Sequence, residues 1–170
     1  KVMGLAPYGN PGKYFDLLKS TIELTGFKVN QKFYTWEYTD KIMFNSKLAK
    51  LLDISPRLPE EEVTQDHKDL AASIQAVYEY FFLEFVHKMK LIGKSDNLCL
   101  GGGCAYNGVA NYKAYKHYNN IHIPFAPSDA GSAIGACLNN YRGPIKDNVS
   151  PYLGNSYTKE EYLDQILANS

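Results

Sequence analysis

The chain has 170 residues, of which 45% are hydrophobic and 21% are charged, a composition typical of one globular domain rather than of a disordered segment. Eighteen basic residues balance eighteen acidic ones, so the charge disfavours nucleic acid and anionic membrane surfaces as partners. No apolar run approaches the ~18 residues of a membrane helix, and no signal peptide opens the sequence.

The first third of the chain is predicted to alternate short elements with loops. Its elements, in order, are a loop over 1–12, a helix over 13–24, one or two strands within 26–38, a helix over 45–52 and an extended connector over 56–59. The acidic run at 60–62 beside the connector is interpreted as a solvated face. The opening residues 1–9 read as a loop rather than a natural start, so we interpret the chain as part of a longer protein.

One long buried helix is predicted over 66–92, because no Gly or Pro interrupts this stretch and apolar residues recur every three or four positions. The recurring residues are Leu70, Ile74, Val77, Phe81, Phe85 and Met89. This periodicity is typical of a helix that packs one face into a core.

The remaining elements predict an α/β alternation. They are a strand over 97–100, a glycine turn, a helix over 104–117, a strand over 121–124, a helix over 130–141 and, after a loop-rich tail, a final helix that opens with a capping box at 158–161. The cysteines Cys99, Cys104 and Cys137 form no CxxC pair, which predicts reduced thiols that act as small apolar fillers in a cytoplasmic protein.

A candidate phosphate-binding turn lies at Gly101, Gly102 and Gly103. Glycines that open a helix expose backbone N–H groups and let a phosphate approach closely. Tyr106 occupies the third glycine position of GxGxxG, and no Lys follows Gly108, so neither standard nucleotide fingerprint is present. The alternative, a tight strand-to-helix connection with no ligand, stays open.

Asp129 is a candidate metal ligand, although Ser128 and Asp129 also stand where side chains cap a helix. The four histidines show neither HxxH nor HxxxH spacing, so further metal ligands would have to come from outside these residues. We interpret His87 as a partly buried structural residue and His117 as a residue that closes a helix.

Six segments, in order, resemble the nodulation-protein and cephem-type O-carbamoyltransferases. They are KVMGLAPYG at 1–9, SPRLPEEE at 55–62, HKDLAASIQ at 67–75, NLCLGGGCAYN at 97–107, PSDAGSAIGAC at 127–137 and SPYLGNSYT at 150–158. That family has an actin/Hsp70-like (ribonuclease H-like) ATPase fold and is related to the enzymes that make threonylcarbamoyladenosine in tRNA. The chain departs from its usual pattern at Cys104, Tyr106 and Ser128.

The resemblance implies an α/β chain that is the C-terminal part of such a domain. Residues 1–145 would belong to the carbamoyl-transfer domain, and 146–170 would lead to a missing domain that makes carbamoyl-adenylate from carbamoyl phosphate and ATP. The residues implied in nucleotide binding are Gly101, Gly102, Gly103, Asn107, Lys1 and Gly4. Asp129 would bind a divalent metal, iron or similar, together with an upstream HxxxH pair.

The acceptor implied is a small hydroxylated molecule, with carbamoyl phosphate reaching the missing domain and a homodimer left open. We therefore expect an ATP- and metal-dependent carbamoyltransferase whose isolated piece is inactive. Two alternatives stay open: a non-catalytic nucleotide-binding domain in which Asp129 is only a cap, and a sugar or acid kinase on the same fold.

Overall fold

The structure, a computed structural model, describes residues 1–23, 28–35, 44–141, 143–144, 154 and 156–168. Its seven described α-helices are α1 (Val2–Leu5), α2 (Phe15–Lys19), α3 (Ser46–Leu52), α4 (Gln65–Gly93), α5 (Gly108–Lys113), α6 (Asp129–Asn140) and α7 (Lys159–Ala168). Three short 3-10 helices cover Ala6–Tyr8, Gly103–Tyr106 and Ala114–Lys116. The strands are β1 (Ile22–Glu23), β2 (Lys28–Val29), β3 (Asn97–Cys99) and β4 (Asn120–His122).

Helix α4 is the central element of the chain. Its first half packs against α1, α2 and the first 3-10 helix, and one apolar cluster forms around it. The buried members of that cluster are Tyr14, Leu18, Leu48, Leu52, Val77 and Phe81. A second, smaller cluster lies near the other end of α4 and joins Val86, Ala114 and Tyr118.

Strands β3 and β4 pair in parallel, with Leu98 opposite Ile121. Parallel neighbours need a crossover connection, and here α5 with its flanking 3-10 helices provides it. The predicted α/β alternation is thus confirmed in this half of the chain. The other described sheet is the antiparallel pair β1 and β2.

Several predicted elements are confirmed. Helix α4 covers the predicted 66–92, and α3 and α6 lie within a residue or two of their predicted bounds. The capping box of α7 is also present, since Thr158 N–H donates to Glu161 Oε2 at 2.7 Å and Glu161 N–H donates to Thr158 Oγ1 at 3.2 Å. The acidic run at 60–62 is exposed, as interpreted.

The helix predicted over 13–24 is wrong in its second half, because α2 ends at Lys19 and Ile22 begins β1. The hydroxyls of Ser20 and Thr21 donate to the carbonyls of Leu17 and Leu18, respectively, at 2.6 Å each. These side chains compete with backbone N–H groups for the last carbonyls, and so the helix ends before Ile22. Of the strands predicted within 26–38, the described residues contain β2 and a single bridge between Tyr34 and Phe44. Positions 24–27 and 36–43 lie outside the described residues.

The helix predicted over 104–117 is broken by Asn107, whose backbone angles (φ −78°, ψ 80°) are not helical. Asn107 Oδ1 accepts from Ala110 N–H, so this residue caps α5 instead of continuing the preceding 3-10 helix. The strand predicted over 121–124 ends at His122, before Pro124, which lacks an N–H for the ladder.

Two burial predictions are wrong. The apolar stripe of α4 is not buried throughout, since Ile74, Phe85 and Met89 are exposed. The three cysteines are free thiols, as predicted, but all of them are exposed and none fills the core. None of the described helices is long and apolar enough to cross a membrane. The predicted domain boundary after 145 lies outside the described residues.

Candidate functional site

The glycine turn and the segment before Asp129 lie side by side. Each follows one of two paired parallel strands, β3 and β4, whose carboxyl ends meet at the same edge of the sheet. Gly102 N–H donates to the carbonyl of Pro127 at 2.5 Å, and a Cβ added to Gly103 would stand 3.7 Å from Ser128 Oγ. The two segments chosen from the sequence therefore form one local site.

The three glycines of the turn differ in whether the backbone conformation or the packing requires glycine there. Gly102 has φ +84°, a conformation that other residues rarely adopt. A Cβ at Gly101 would meet nothing within 4 Å, and one at Gly103 would make an ordinary contact with Ser128. Packing within the described chain therefore does not explain Gly101 or Gly103, and their open backbone suits a ligand that approaches closely.

Asp129 is the first residue of α6, and Ser128 occupies the N-cap position. The Ser128 side chain accepts no capping hydrogen bond from α6, and Asp129, as the first helical residue, does not occupy the N-cap position. The Asp129 carboxylate is exposed, and none of the described residues forms a hydrogen bond or ion pair with it. It is thus available to a ligand, beside N–H groups at the positive end of a 12-residue helix.

Gly131, by contrast, is required by the fold. A Cβ on Gly131 would stand 2.1 Å from the carbonyl oxygen of Ala126, so α6 packs its backbone directly against the loop that leads into it. A groove of about 420 Å³ runs along this contact, and both small and large apolar residues line it, among them Gly131, Gly135 and Phe125, together with Ser128. The groove adjoins Asp129 and provides space for part of a ligand.

Asn107 lies at the other end of the glycine turn, between the 3-10 helix over Gly103–Tyr106 and α5. Its side chain forms a reciprocal amide pair with Gln75 of α4, at 3.0 and 3.1 Å. Gln75 has no role in the sequence-based interpretation. Its position in the sequence could have identified it, because Gln75 shares a helix face with the small residues Ala71 and Ala72. A glutamine that is buried on such a face must have a polar partner.

Lys1 is the N-cap residue of α1 and Gly4 lies within that helix, and both are exposed. Helix α1 packs on α4, and Met3 lines a small cavity together with Gln75 and Val109. This places the first helix near the start of α5 and the Asn107 pair. The assignment of Lys1 and Gly4 to nucleotide binding stays a prediction.

Among the described residues, no three His, Cys, Asp or Glu side chains lie close enough together to hold a metal ion. Asp129 could therefore supply at most one ligand of a metal site, because the described residues around it do not complete one. Two histidines that are far apart in sequence do meet, since the rings of His87 and His117 lie 5.0 Å apart between centroids. His87 is exposed, which corrects the interpretation that it is partly buried.

Tyr78 of α4 lies next to the glycine turn. Burial raises the pKa of its phenol, and the neighbouring Cys104 thiol adds to the rise. The phenol is therefore a neutral hydrogen-bonding group at physiological pH. Another cavity, of about 480 Å³, lies between α2, α3, the first half of α4 and the 54–57 connector, and it shares no lining residue with the glycine turn or Asp129.

Comparisons with known proteins show the family to which the chain belongs. The sequence profile described as carbamoyltransferase N-terminus matches residues 1–138. An uncharacterized protein of Synechocystis, sll1178, is 38% identical over 95% of this chain and 28% of its own length. The nodulation proteins NolO of Bradyrhizobium diazoefficiens and NolNO of Sinorhizobium fredii are 36% and 34% identical, each over 81% of this chain and over 24% and 19% of their own lengths.

The chain thus spans between 19% and 28% of the length of these relatives. The family match covers the glycine turn, Asn107 and Asp129. From this match, the chain belongs to the carbamoyltransferase family, and residues 1–138 correspond to that family's N-terminal region.

Proposed function

We propose that this chain is part of an enzyme that transfers a carbamoyl group from carbamoyl-adenylate to a hydroxyl group of a small acceptor. Within that proposal, the chain forms the C-terminal part of an actin/Hsp70-like ATPase domain. The observation that carries it is the contact between Gly102 and Pro127, which puts an open glycine turn close to Asp129, whose carboxylate has no partner among the described residues. A nucleotide phosphate and a cation are the groups that such neighbours suit best.

The glycine turn would hold the phosphate of carbamoyl-adenylate. Its backbone N–H groups can donate to phosphate oxygens without side chains in the way, and the positive end of α6 adds favourable charge at the same place. These dipoles are fixed before the reaction, so they stabilise negative charge as it grows on the departing phosphate without reorganising.

Asp129 would hold a divalent metal, with the remaining ligands supplied from outside this chain. Such an ion supplies positive charge that polarises or neutralises oxygen atoms of the substrate. The Asp129 carboxylate contributes a ligand at the first turn of α6, next to the groove lined by Ser128 and Gly131.

The chemical step forms one bond and breaks one. The acceptor oxygen attacks the carbamoyl carbon, the bond from that carbon to the phosphate oxygen breaks, and AMP departs with the electron pair. The acceptor hydroxyl loses its proton to a base that the described residues do not identify. The groove beside α6 would admit the acceptor, and closing it to water would limit hydrolysis of the activated carbamoyl group.

The test uses the full-length protein that contains this chain, supplied with ATP, a divalent metal, labelled carbamoyl phosphate and a panel of polyhydroxylated acceptors. Asp129→Ala is expected to reduce label transfer to the acceptor by at least ~100-fold while carbamoyl-adenylate still forms, because a metal ligand is lost. Asp16→Ala, which removes an exposed carboxylate on α2, is the matched control and should leave transfer unchanged. Transfer retained in Asp129→Ala would contradict the metal role, and a phosphorylated product would indicate a kinase instead.

A further inference from the structure

Four polar residues on α4 are buried: Asp69, Ser73, Gln75 and Glu79. Each of them holds another segment of the chain. Asp69 and Ser73 accept hydrogen bonds from Asn10 N–H at 2.8 Å and Tyr14 N–H at 3.1 Å, and thereby hold the N-terminal segment. Gln75 and Glu79 hold α5, through Asn107 and Lys113.

The chain of partners from Lys113 to Asn107 fixes the direction of every hydrogen bond in it. Lys113 is always a donor, and Glu79 forms an ion pair with it through one carboxylate oxygen. The other oxygen of Glu79 accepts from Gln75 Nε2 at 2.9 Å. The Gln75 amide therefore cannot be flipped, because its oxygen would then face a carboxylate.

The orientation of Gln75 determines that of Asn107. Asn107 Oδ1 accepts both from Gln75 Nε2 at 3.1 Å and from Ala110 N–H at 3.2 Å, which uses both of its lone pairs. Asn107 Nδ2 donates one of its two hydrogens to Gln75 Oε1 at 3.0 Å. The second hydrogen has no partner among the described residues, and Asn107 is only half-buried.

We propose that Gln75 is a positioning residue that presents Asn107 to the nucleotide as a hydrogen-bond donor only. The atom that Asn107 meets is therefore an acceptor. Because Asn107 ends the 3-10 helix that starts at Gly103, the acceptor is a phosphate oxygen held by the glycine turn. This inference rests on the proposed nucleotide site and assigns one polar contact within it.

Gln75 also fixes the turn itself. The turn is held at Gly102 by the carbonyl of Pro127 and at Asn107 by Gln75, so its 3-10 helix is anchored at both ends. Removing the Gln75 amide leaves the Ala110 N–H as the one partner that restrains the Asn107 side chain among the described residues, and a less restrained donor loses more entropy when it binds.

The test measures binding of a non-hydrolysable ATP analogue, AMP and adenosine to the full-length protein by calorimetry, at a temperature where every variant is folded. Gln75→Met keeps the length of the side chain and removes its polar atoms. We expect it to weaken binding of the ATP analogue about 3- to 10-fold, because the Asn107 donor is kept but must be ordered on binding. Gln65→Met is the matched control on the same helix, since Gln65 bonds Asp69 and the carbonyl of Tyr8 instead, and it should change affinity less than ~3-fold.

Asn107→Asp tests the donor assignment. Aspartate caps a helix as well as asparagine does, so α5 is retained, but the free N–H becomes a carboxylate oxygen. We expect binding of the ATP analogue and AMP to fall at least ~10-fold and binding of adenosine to change little, because the lost contact is with phosphate. Equal losses for adenosine would overturn the phosphate assignment.

A double-mutant cycle separates positioning from general structural support. If Gln75 acts through Asn107, adding Gln75→Met to Asn107→Asp should weaken nucleotide binding little further. Additive losses, or equal effects of Gln75→Met and Gln65→Met, would overturn the inference while leaving the proposed function intact. If the unaltered protein binds none of the three ligands, the proposed nucleotide site itself is refuted, and the inference with it.

Discussion

Gly131→Ala tests how closely α6 packs on the loop before it. The added Cβ would stand 2.1 Å from the carbonyl oxygen of Ala126, whereas ordinary contacts begin at 3.4 Å, so helix and loop must separate by more than 1 Å. Overpacking of this kind costs about 1–3 kcal/mol. Alanine also favours a helix interior over glycine by about 1 kcal/mol, which partly hides that cost in the single variant.

Gly135→Ala removes this ambiguity, because it lies one turn further along the same helix. A Cβ on Gly135 meets nothing within 4 Å, so only the gain in helix propensity remains. The propensity terms cancel in the comparison, and Gly131→Ala should be less stable than Gly135→Ala by about 1–3 kcal/mol. We expect this loss of stability to be confined to α6 and the 124–128 loop.

The assay must detect local as well as global unfolding. Helix α6 has no buried residue among those described, so it can open without the rest of the chain. Amide hydrogen exchange over residues 129–140, with urea unfolding alongside, therefore measures the effect. Exchange in Gly131→Ala that is no faster than in Gly135→Ala would refute the reasoning, since the carbonyl of Ala126 would then not limit the packing.

Two further predictions concern the polar residues that hold the N-terminal segment on α4. The hydrogen bond from Asn10 N–H lowers the pKa of Asp69, and Gln65 and Lys13 add to this effect. The ionised Asp69 therefore stabilises the fold above about pH 4, and this stabilisation is lost as the pH falls through the lowered pKa. Asp69→Asn should lower the melting temperature at pH 7, and the difference from the unaltered protein should shrink below pH 4. The same difference in melting temperature at pH 7 and pH 3 would contradict the linkage. Ser73→Ala removes the acceptor of Tyr14 N–H in a fully buried position and should cost about 1–3 kcal/mol by urea unfolding, whereas Ser20→Ala, at an exposed hydroxyl, should cost less than about 1 kcal/mol.

The sequence was sufficient for elements with strong local signals. An uninterrupted helical period predicted α4, and a capping box predicted the start of α7. Periodicity identifies an apolar face but not what covers it, and so Phe85 and Met89 were assigned to a core that the described chain does not build around them. Asn107 breaks the helix predicted over 104–117 because it gains two partners at once, the Ala110 N–H and the Gln75 amide.

Contacts between residues that are far apart in the chain could not be predicted from the sequence, for a simple physical reason. Spacing rules for metal-ligating histidines describe neighbours on one element, such as HxxxH on a helix. His87 and His117 come from different elements, and their rings meet only because Val86, Ala114 and Tyr118 pack α4 against the segment after α5. Gln75 and Asn107 meet in the same way, 32 positions apart.

The sequence pointed to a candidate site, but it could not distinguish the roles of the glycines there. Gly101, Gly102, Gly103 and Gly131 all precede or begin helices, and each could serve the fold or a ligand. The structure separates them by what a Cβ would meet: Gly131 would collide with a carbonyl, Gly102 needs its positive φ, and Gly101 and Gly103 have neither constraint. Gly101, Gly103 and the Asp129 carboxylate, which has no partner among the described residues, outline the surface that a ligand would occupy. That surface follows the carboxyl ends of β3 and β4.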